Sequence, residues 1–134
     1  MIIRILFLLF AVISLNLSSK EISVSIAHKK IFLQVADTHE LRAKGLMGVR
    51  VLNQDEGMIF LWPDADQRCM WMKNTSIPLS VAYLSTDGRV LEIYDMVPFS
   101  EDSICSMKNV RMAVEVNQGW FARNKISIGD KINF

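Results

Sequence analysis

Short apolar segments that alternate with polar residues dominate the chain after residue 20. Apolar residues recur at every second position in 22–26 and again in 31–35, and His28, Lys29 and Lys30 lie between the two segments. Successive side chains of a strand point to opposite faces of a sheet. This period of two therefore predicts a pair of strands joined by a turn.

One short helix is predicted after these strands. Asp37 or Thr38 can cap a helix over residues 39–44, and Gly45 can end it because glycine tolerates a positive φ. One or two further helical turns are predicted at residues 119–124.

Most of the remaining apolar segments predict further short strands. They lie at residues 58–62, 69–75, 79–84, 89–96 and 112–116, and a strand, a turn and a strand follow at 126–132. Pro63 is expected to close the first of these strands, and Asp87-Gly88 is typical of a hairpin turn. The pattern predicts a mostly β fold, a β-rich α+β single domain over residues 20–134. Its strands would be mainly antiparallel and could close partly into a barrel.

The first 19 residues have a different pattern. They contain 14 apolar residues and one charged residue, Arg4. A positive start followed by an apolar run of about ten residues is typical of a secretory signal peptide, which predicts cleavage after Ser19 and a periplasmic or secreted protein. An uncleaved membrane tether is the alternative, although Ser14 and Asn16 interrupt a run already shorter than the roughly 20 residues that span a bilayer. After cleavage we expect no stable membrane span.

The charges are nearly balanced, which narrows the range of partners. The chain has 15 basic and 14 acidic residues. Nucleic acids and anionic membranes require a clustered basic surface, so we expect no nucleic-acid partner. Neither of the glycine-rich motifs that bind nucleotide phosphates occurs, and no cofactor is predicted. The expected partner is a small molecule or another protein.

The two cysteines allow several interpretations in an exported protein. Cys69 and Cys105 could form a disulfide that closes a loop of about 37 residues, worth about 4 kcal/mol in the chain-entropy model, or could be two small buried apolar residues. Copper handling is a further alternative, because Met70, Met72 and Met107 are close to them in sequence and sulfur ligands favour Cu(I). Methionine as adaptable core filling is the preferred interpretation, so no metal ligand is predicted.

The densest group of aromatic and polar residues is Trp71–Thr75. On a strand, Trp71 and Lys73 would share one face, where a flat ring beside a cation suits a ligand that carries both a ring and an anion. The structural alternative is a lysine stem packed over a core tryptophan.

Glu115 is the most unusual charged residue of the predicted strands. It lies between two valines, so we expect its carboxylate to be partly buried and to need a partner. Lys73, Arg42 and Arg111 are the candidates. An ion pair that joins two strands is preferred over a role as general acid or base.

The chain contains five ordered motifs: Arg42-Ala43-Lys44-Gly45-Leu46-Met47-Gly48, Gly57-Met58-Ile59-Phe60, Trp71-Met72-Lys73-Asn74-Thr75-Ser76-Ile77-Pro78-Leu79, Asp87-Gly88 and Val114-Glu115-Val116-Asn117-Gln118-Gly119-Trp120. Together they resemble the family called domain of unknown function number 192. The resemblance implies a compact β-rich domain, found in small prokaryotic proteins that are often exported. It implies no established reaction, substrate or cofactor.

The predicted site is a ligand-binding face without a complete set of catalytic residues. Its members are Arg42, Trp71, Lys73, Asn74, Glu115, Asn117 and Trp120. Trp71 and Trp120 would supply stacking area, and Lys73 or Arg42 would meet an anion. The alternative is a small hydrolase or lyase in which Glu115 is the base and Lys73 the electrostatic stabiliser.

Overall fold

Seven strands form one curled sheet that resembles half of a barrel. The computed structural model describes residues 19–134, so the predicted signal peptide lies outside the described residues except for Ser19. The strands are β1 (Glu21–Ile26), β2 (Lys29–Ala36), β3 (Glu56–Asp66), β4 (Cys69–Met70), β5 (Leu79–Leu84), β6 (Val90–Met96), β7 (Ile104–Cys105), β8 (Val110–Asn117) and β9 (Ile132–Asn133). The helices are α1 (His39–Lys44) and α2 (Trp120–Arg123). This composition confirms the predicted mostly β single domain.

The large sheet has the strand order β6-β5-β8-β3-β2-β1-β9, and β4 pairs with β7 in a separate small sheet. Neighbouring strands of the large sheet are antiparallel except β2 and β3, which are parallel. The predicted β1–β2 hairpin and the hairpin turn at Asp87-Gly88 are confirmed, and Gly88 has the positive φ that this turn requires.

Two predicted strands were wrong in extent. β3 continues to Asp66 through Pro63, because its pairing with β8 shifts between Leu61 and Asp66 and leaves the proline in an irregular segment that needs no N–H group. The strand predicted at 69–75 ends at Met70, and a turn with positive φ at Asn74 follows. No strand forms at 126–128, since 126 and 127 belong to no regular element and a turn occupies 128–129.

The two short helices are confirmed. Thr38 caps α1, since its Oγ1 accepts a hydrogen bond from the backbone N–H of Leu41 at 3.2 Å, and Gly45 ends the helix with a φ of 49°. Neither helix of the described chain has the length and the apolar content needed to cross a membrane.

Apolar side chains cover both faces of the large sheet. One face packs in a core that includes Ile31, Ile59, Val114, Val116 and Trp120. The opposite face packs in a second core that includes Met58, Phe60, Val81, Tyr83 and Ala113. Because residues of β8 alternate between these two cores, the side chain of Glu115 belongs to the second face.

Candidate functional site

A cavity of about 280 Å³ lies on the second face of the sheet. Its lining comes from α1 and the residues after it, from strands β3, β4, β5 and β8, and from the segment that follows β4. The lining residues are His39, Arg42, Ala43, Lys44, Gly45, Leu46, Met47, Phe60, Trp62, Cys69, Met70, Trp71, Met72, Thr75, Leu79 and Glu115. Three methionines and three aromatic residues, Met47, Met70, Met72, Phe60, Trp62 and Trp71, contribute to this wall, and such side chains are typical of a pocket for an organic molecule.

Glu115 is the acidic residue of this lining. It lies in β8 between Met58 of β3 and Val81 of β5, and 4% of its surface is exposed. Within residues 19–134, its carboxyl group has no hydrogen bond or ion pair. Burial among apolar side chains raises the pKa of Glu115 from 4.5 to about 8, because the charged form loses its hydration. At neutral pH the carboxyl group is therefore mostly protonated and can donate a hydrogen bond.

The ion pair predicted for Glu115 was wrong for each of its three candidate partners. Arg42 donates from Nη1 to the carbonyl oxygen of Leu61 at 2.8 Å. The ammonium group of Lys73 lies 5.2 Å from the centre of the Trp71 ring. Arg111 has a buried Nε without a hydrogen-bond partner in the described residues. Glu115 therefore avoids the cost of buried charge by keeping its proton rather than by pairing.

One side of the cavity carries basic groups. His39, Arg42 and Lys44 line it from α1, and the side chains of His39 and Lys44 belong to exposed residues. The bond from Arg42 to Leu61 ties this helix to β3. A ligand in the cavity would therefore meet positive charge near α1 and a neutral carboxyl group at the sheet.

A disulfide supports the other side. Cys69 and Cys105 are bonded to each other and join β4 to β7. The next residue after β4, Trp71, lines the cavity while 45% of its surface is exposed. The backbone N–H of Gly48 donates to the carbonyl oxygen of Asn74 at 3.0 Å, which connects this side to the segment after α1. The disulfide also removes the two thiolates on which the copper alternative depends.

The structure brings three of the seven predicted site residues together. Arg42, Trp71 and Glu115 line the cavity. Lys73 and Asn74 belong to the exposed turn after Trp71 and are outside the lining, because the strand that would have aligned them ends at Met70.

The other two predicted residues have structural contacts away from the cavity. Asn117 donates from Nδ2 to the carbonyl oxygen of Leu52 at 2.9 Å and holds a loop. Trp120 has no exposed surface, and its indole N–H donates to Asp55 Oδ1 at 3.1 Å. Trp120 therefore cannot offer the stacking surface that the sequence suggested.

Several lining residues were missed by the sequence interpretation. Met70 and Met72 are buried in the second core, as the core-filling interpretation predicts, and they also line the cavity. Phe60, His39 and Lys44 have no predicted site role, but they line it too. A useful signal was present for α1, since His39 and Arg42 are three residues apart and so share one side of a helix. For the methionines, no spacing distinguishes cavity lining from core filling.

The comparisons with known proteins concern the family and the fold. Residues 22–134 match the family DUF192, described as "Uncharacterized ACR". A crystal structure from Sinorhizobium meliloti 1021, described as a candidate transcription regulator, has 30% identity and a TM-score of 0.86, over 88% of this chain and 96% of that one. A protein of unknown function from Novosphingobium aromaticivorans DSM 12444 has 33% identity and a TM-score of 0.79, over 85% of each chain. Among curated proteins, none matches. The chain belongs to the DUF192 family.

Proposed function

We propose that the protein is a binding module that holds a small organic ligand in the cavity between α1 and the sheet. The observation that carries this proposal is the carboxyl group of Glu115, which borders the cavity and has no partner within the described chain. Buried polar groups in folded proteins are nearly always hydrogen-bonded. A ligand that fills the cavity would satisfy this group, whereas the folded chain alone does not.

The chemistry of the lining selects the kind of ligand. Phe60, Trp62 and Met72 offer apolar contact, so the body of the ligand would be apolar or aromatic. A cavity of about 150 Å³ accepts benzene, so about 280 Å³ accommodates a substituted ring. The basic groups of α1 favour an anionic substituent at that side. This agrees with the ring and anion expected for the Trp71 region, with Arg42 rather than Lys73 as the cation.

Export is part of the proposal. The predicted signal peptide would direct the protein to the periplasm or the medium, and the disulfide between Cys69 and Cys105 suits an oxidising compartment. N-terminal sequencing of the protein from fractionated cells tests this. A chain that starts at Lys20 in the exported fraction is expected, and a cytoplasmic chain that starts at Met1 would contradict it.

A thermal-shift screen with a blocked cavity tests the binding function. Ala43 lines the cavity on the exposed side of α1, so Ala43→Phe should fill the entrance without disturbing a core. Ala122→Phe is the matched control, because Ala122 is also exposed on a helix and is outside the lining. The panel contains sugars, nucleotides, peptides and small aromatic acids.

The expected ligand raises the Tm of the parent and of Ala122→Phe but not that of Ala43→Phe. Ligands that stabilise all three proteins equally would contradict the proposed site. Lys44→Gln should weaken the binding of an anionic ligand. Lys20→Gln should leave this binding unchanged, because Lys20 is exposed and outside the lining.

The raised pKa of Glu115 also supports a second candidate function, a proton-transfer enzyme. Here the Glu115 carboxylate would remove a proton from a carbon next to a carbonyl group and return it. The hydrolase or lyase alternative also requires Lys73 as electrostatic stabiliser, and Lys73 is outside the lining. Incorporation of solvent deuterium next to the carbonyl of a panel of ketones, absent with Glu115→Gln, is the expected sign of this activity.

A further inference from the structure

We propose that the ligand carries a neutral hydrogen-bond acceptor, such as a ketone or amide carbonyl, at the end that reaches Glu115, and an anionic group at the end that lies near α1. The inference rests on the proposed function and specifies the ligand class of the same cavity. It follows from the placement of one carboxyl group and three basic groups on different sides of one apolar space.

The inner end of the cavity favours an acceptor. Glu115 is 4% exposed and lies between Met58 and Val81, whose side chains offer no nitrogen or oxygen atom. With its pKa near 8, the group carries a proton at neutral pH and acts as a donor. A ligand carbonyl would accept a hydrogen bond from this O–H group without placing a charge among apolar side chains, whereas a ligand donor would leave the O–H group unpaired.

The ionisable groups around Glu115 argue against a cationic ligand. From β5, Tyr83 lies near Glu115, but its hydroxyl group already donates to the carbonyl oxygen of Ile104 at 2.5 Å. From α1, His39, Arg42 and Lys44 line the cavity, whereas β3 and the segment that follows β4 contribute no ionisable side chain to the lining. A ligand cation would meet positive charge at α1 and would require Glu115 to ionise. A ligand anion would meet the same groups favourably.

Two benzoates of nearly equal shape distinguish the contribution of the acceptor to affinity from the contribution of the apolar contacts. 4-Acetylbenzoate has a ring, a carboxylate and a ketone at opposite ends, and 4-isopropylbenzoate replaces the ketone oxygen by a methyl group. Calorimetric titration of residues 20–134 at pH 6.5 should show at least about tenfold tighter binding of 4-acetylbenzoate, the effect of one buried hydrogen bond. Equal or tighter binding of 4-isopropylbenzoate, binding of neither, or tighter binding of 4-isopropylbenzylamine would overturn the inference.

Substitutions of Glu115 test whether this residue causes the preference for 4-acetylbenzoate over 4-isopropylbenzoate. Glu115→Gln keeps a donor and should keep the preference for 4-acetylbenzoate, whereas Glu115→Met removes the donor and should abolish it. As pH rises from 6.5 to 9.5, the parent should lose roughly 30-fold in affinity for 4-acetylbenzoate as Glu115 ionises, and Glu115→Gln should not. The pH comparison decides the matter even where Glu115→Met does not fold, and a pH-independent parent would overturn the inference.

These outcomes are separable from those of the proposed function. If a screen identifies a cavity ligand that Ala43→Phe excludes while both benzoates bind equally, the cavity binds a ligand and the inferred acceptor for Glu115 is wrong. If Ala43→Phe excludes nothing, the proposed function itself is wrong.

Discussion

Gly57 of β3 lies directly against the main chain of Glu115, so that a Cβ atom on Gly57 would overlap the carbonyl oxygen of Glu115. The two strands are paired at this point, with Gly57 opposite Val116 and Met58 opposite Glu115. The absence of a side chain at Gly57 allows the close approach of β3 to β8 that places Glu115 in the cavity wall.

Gly57→Ala should therefore destabilise the fold. The added methyl group meets backbone rather than a flexible side chain, so the strands must separate, at a cost of about 1–3 kcal/mol. Urea unfolding followed by circular dichroism measures this change. An unchanged unfolding midpoint would show that β3 can move away from β8 without loss.

The stability of the protein should fall as pH rises between about 4.5 and 8. In this range the folded state keeps the proton of Glu115, whereas the unfolded state releases it, so each step upward in pH favours unfolding. The total loss is a few kcal/mol. Urea unfolding at pH 5.0, 6.5 and 8.5 measures it.

Glu115→Gln is the control for this pH dependence. The amide stays neutral, so the variant should show a flat profile between pH 5.0 and 8.5 and should exceed the parent in stability at pH 8.5. Asp55 and Glu92 have lowered pKa values and destabilise the fold only as pH falls further, so pH 5.0 is a suitable lower limit. A parallel slope in both proteins would assign the effect to other groups.

Removal of the disulfide should loosen one side of the cavity. The double substitution Cys69→Ser and Cys105→Ser should cost about 4 kcal/mol, because it lifts a constraint on the unfolded chain between residues 69 and 105. It should also weaken the binding of any cavity ligand, because Cys69 lines the cavity and β4 leads directly into the lining residue Trp71. A reducing agent should have the same effect on the parent and none on the variant. Unchanged stability of the variant would contradict this role.

Trp120→Phe should lower stability and leave ligand affinity unchanged. Trp120 is fully buried, and its indole N–H donates to Asp55 Oδ1, so the smaller ring loses a hydrogen bond and leaves a void. About 1–3 kcal/mol is expected for the loss. Chemical unfolding and titration with a cavity ligand measure the two effects separately. A fall in affinity at full stability would restore the ligand role that the sequence suggested.

The local fold could be predicted where short-range chemistry determines it. The alternation in β1 and β2, the Asp87-Gly88 turn and the Thr38 cap each act within a few residues. The extension of β3 through Pro63 could not be predicted, because it depends on how β8 pairs across the irregular segment. The parallel pairing of β2 with β3 likewise has no local signal.

The site was partly predictable for a related reason. The sequence marks Glu115 as a charged residue between two valines, and the ring of Trp71 and the cation of Arg42 mark them as ligand-binding candidates. The lack of an ion-pair partner for Glu115 could not be predicted, because the position of each basic side chain depends on contacts with residues distant in sequence. A cavity is also space that side chains leave unfilled, and no residue in the sequence marks such space.

The parallel arrangement of β2 and β3 requires the chain to travel back along the sheet before β3 begins, and residues 37–55 form this return. The same residues include α1, which supplies the basic side of the cavity. The return segment also covers part of the second face, because Leu46 belongs to the second core and Leu41, Val49 and Leu52 pack against it. Insertions or deletions in it should therefore change the volume of the cavity without changing the register of any strand pair, since residues 37–55 lie between β2 and β3 and belong to neither.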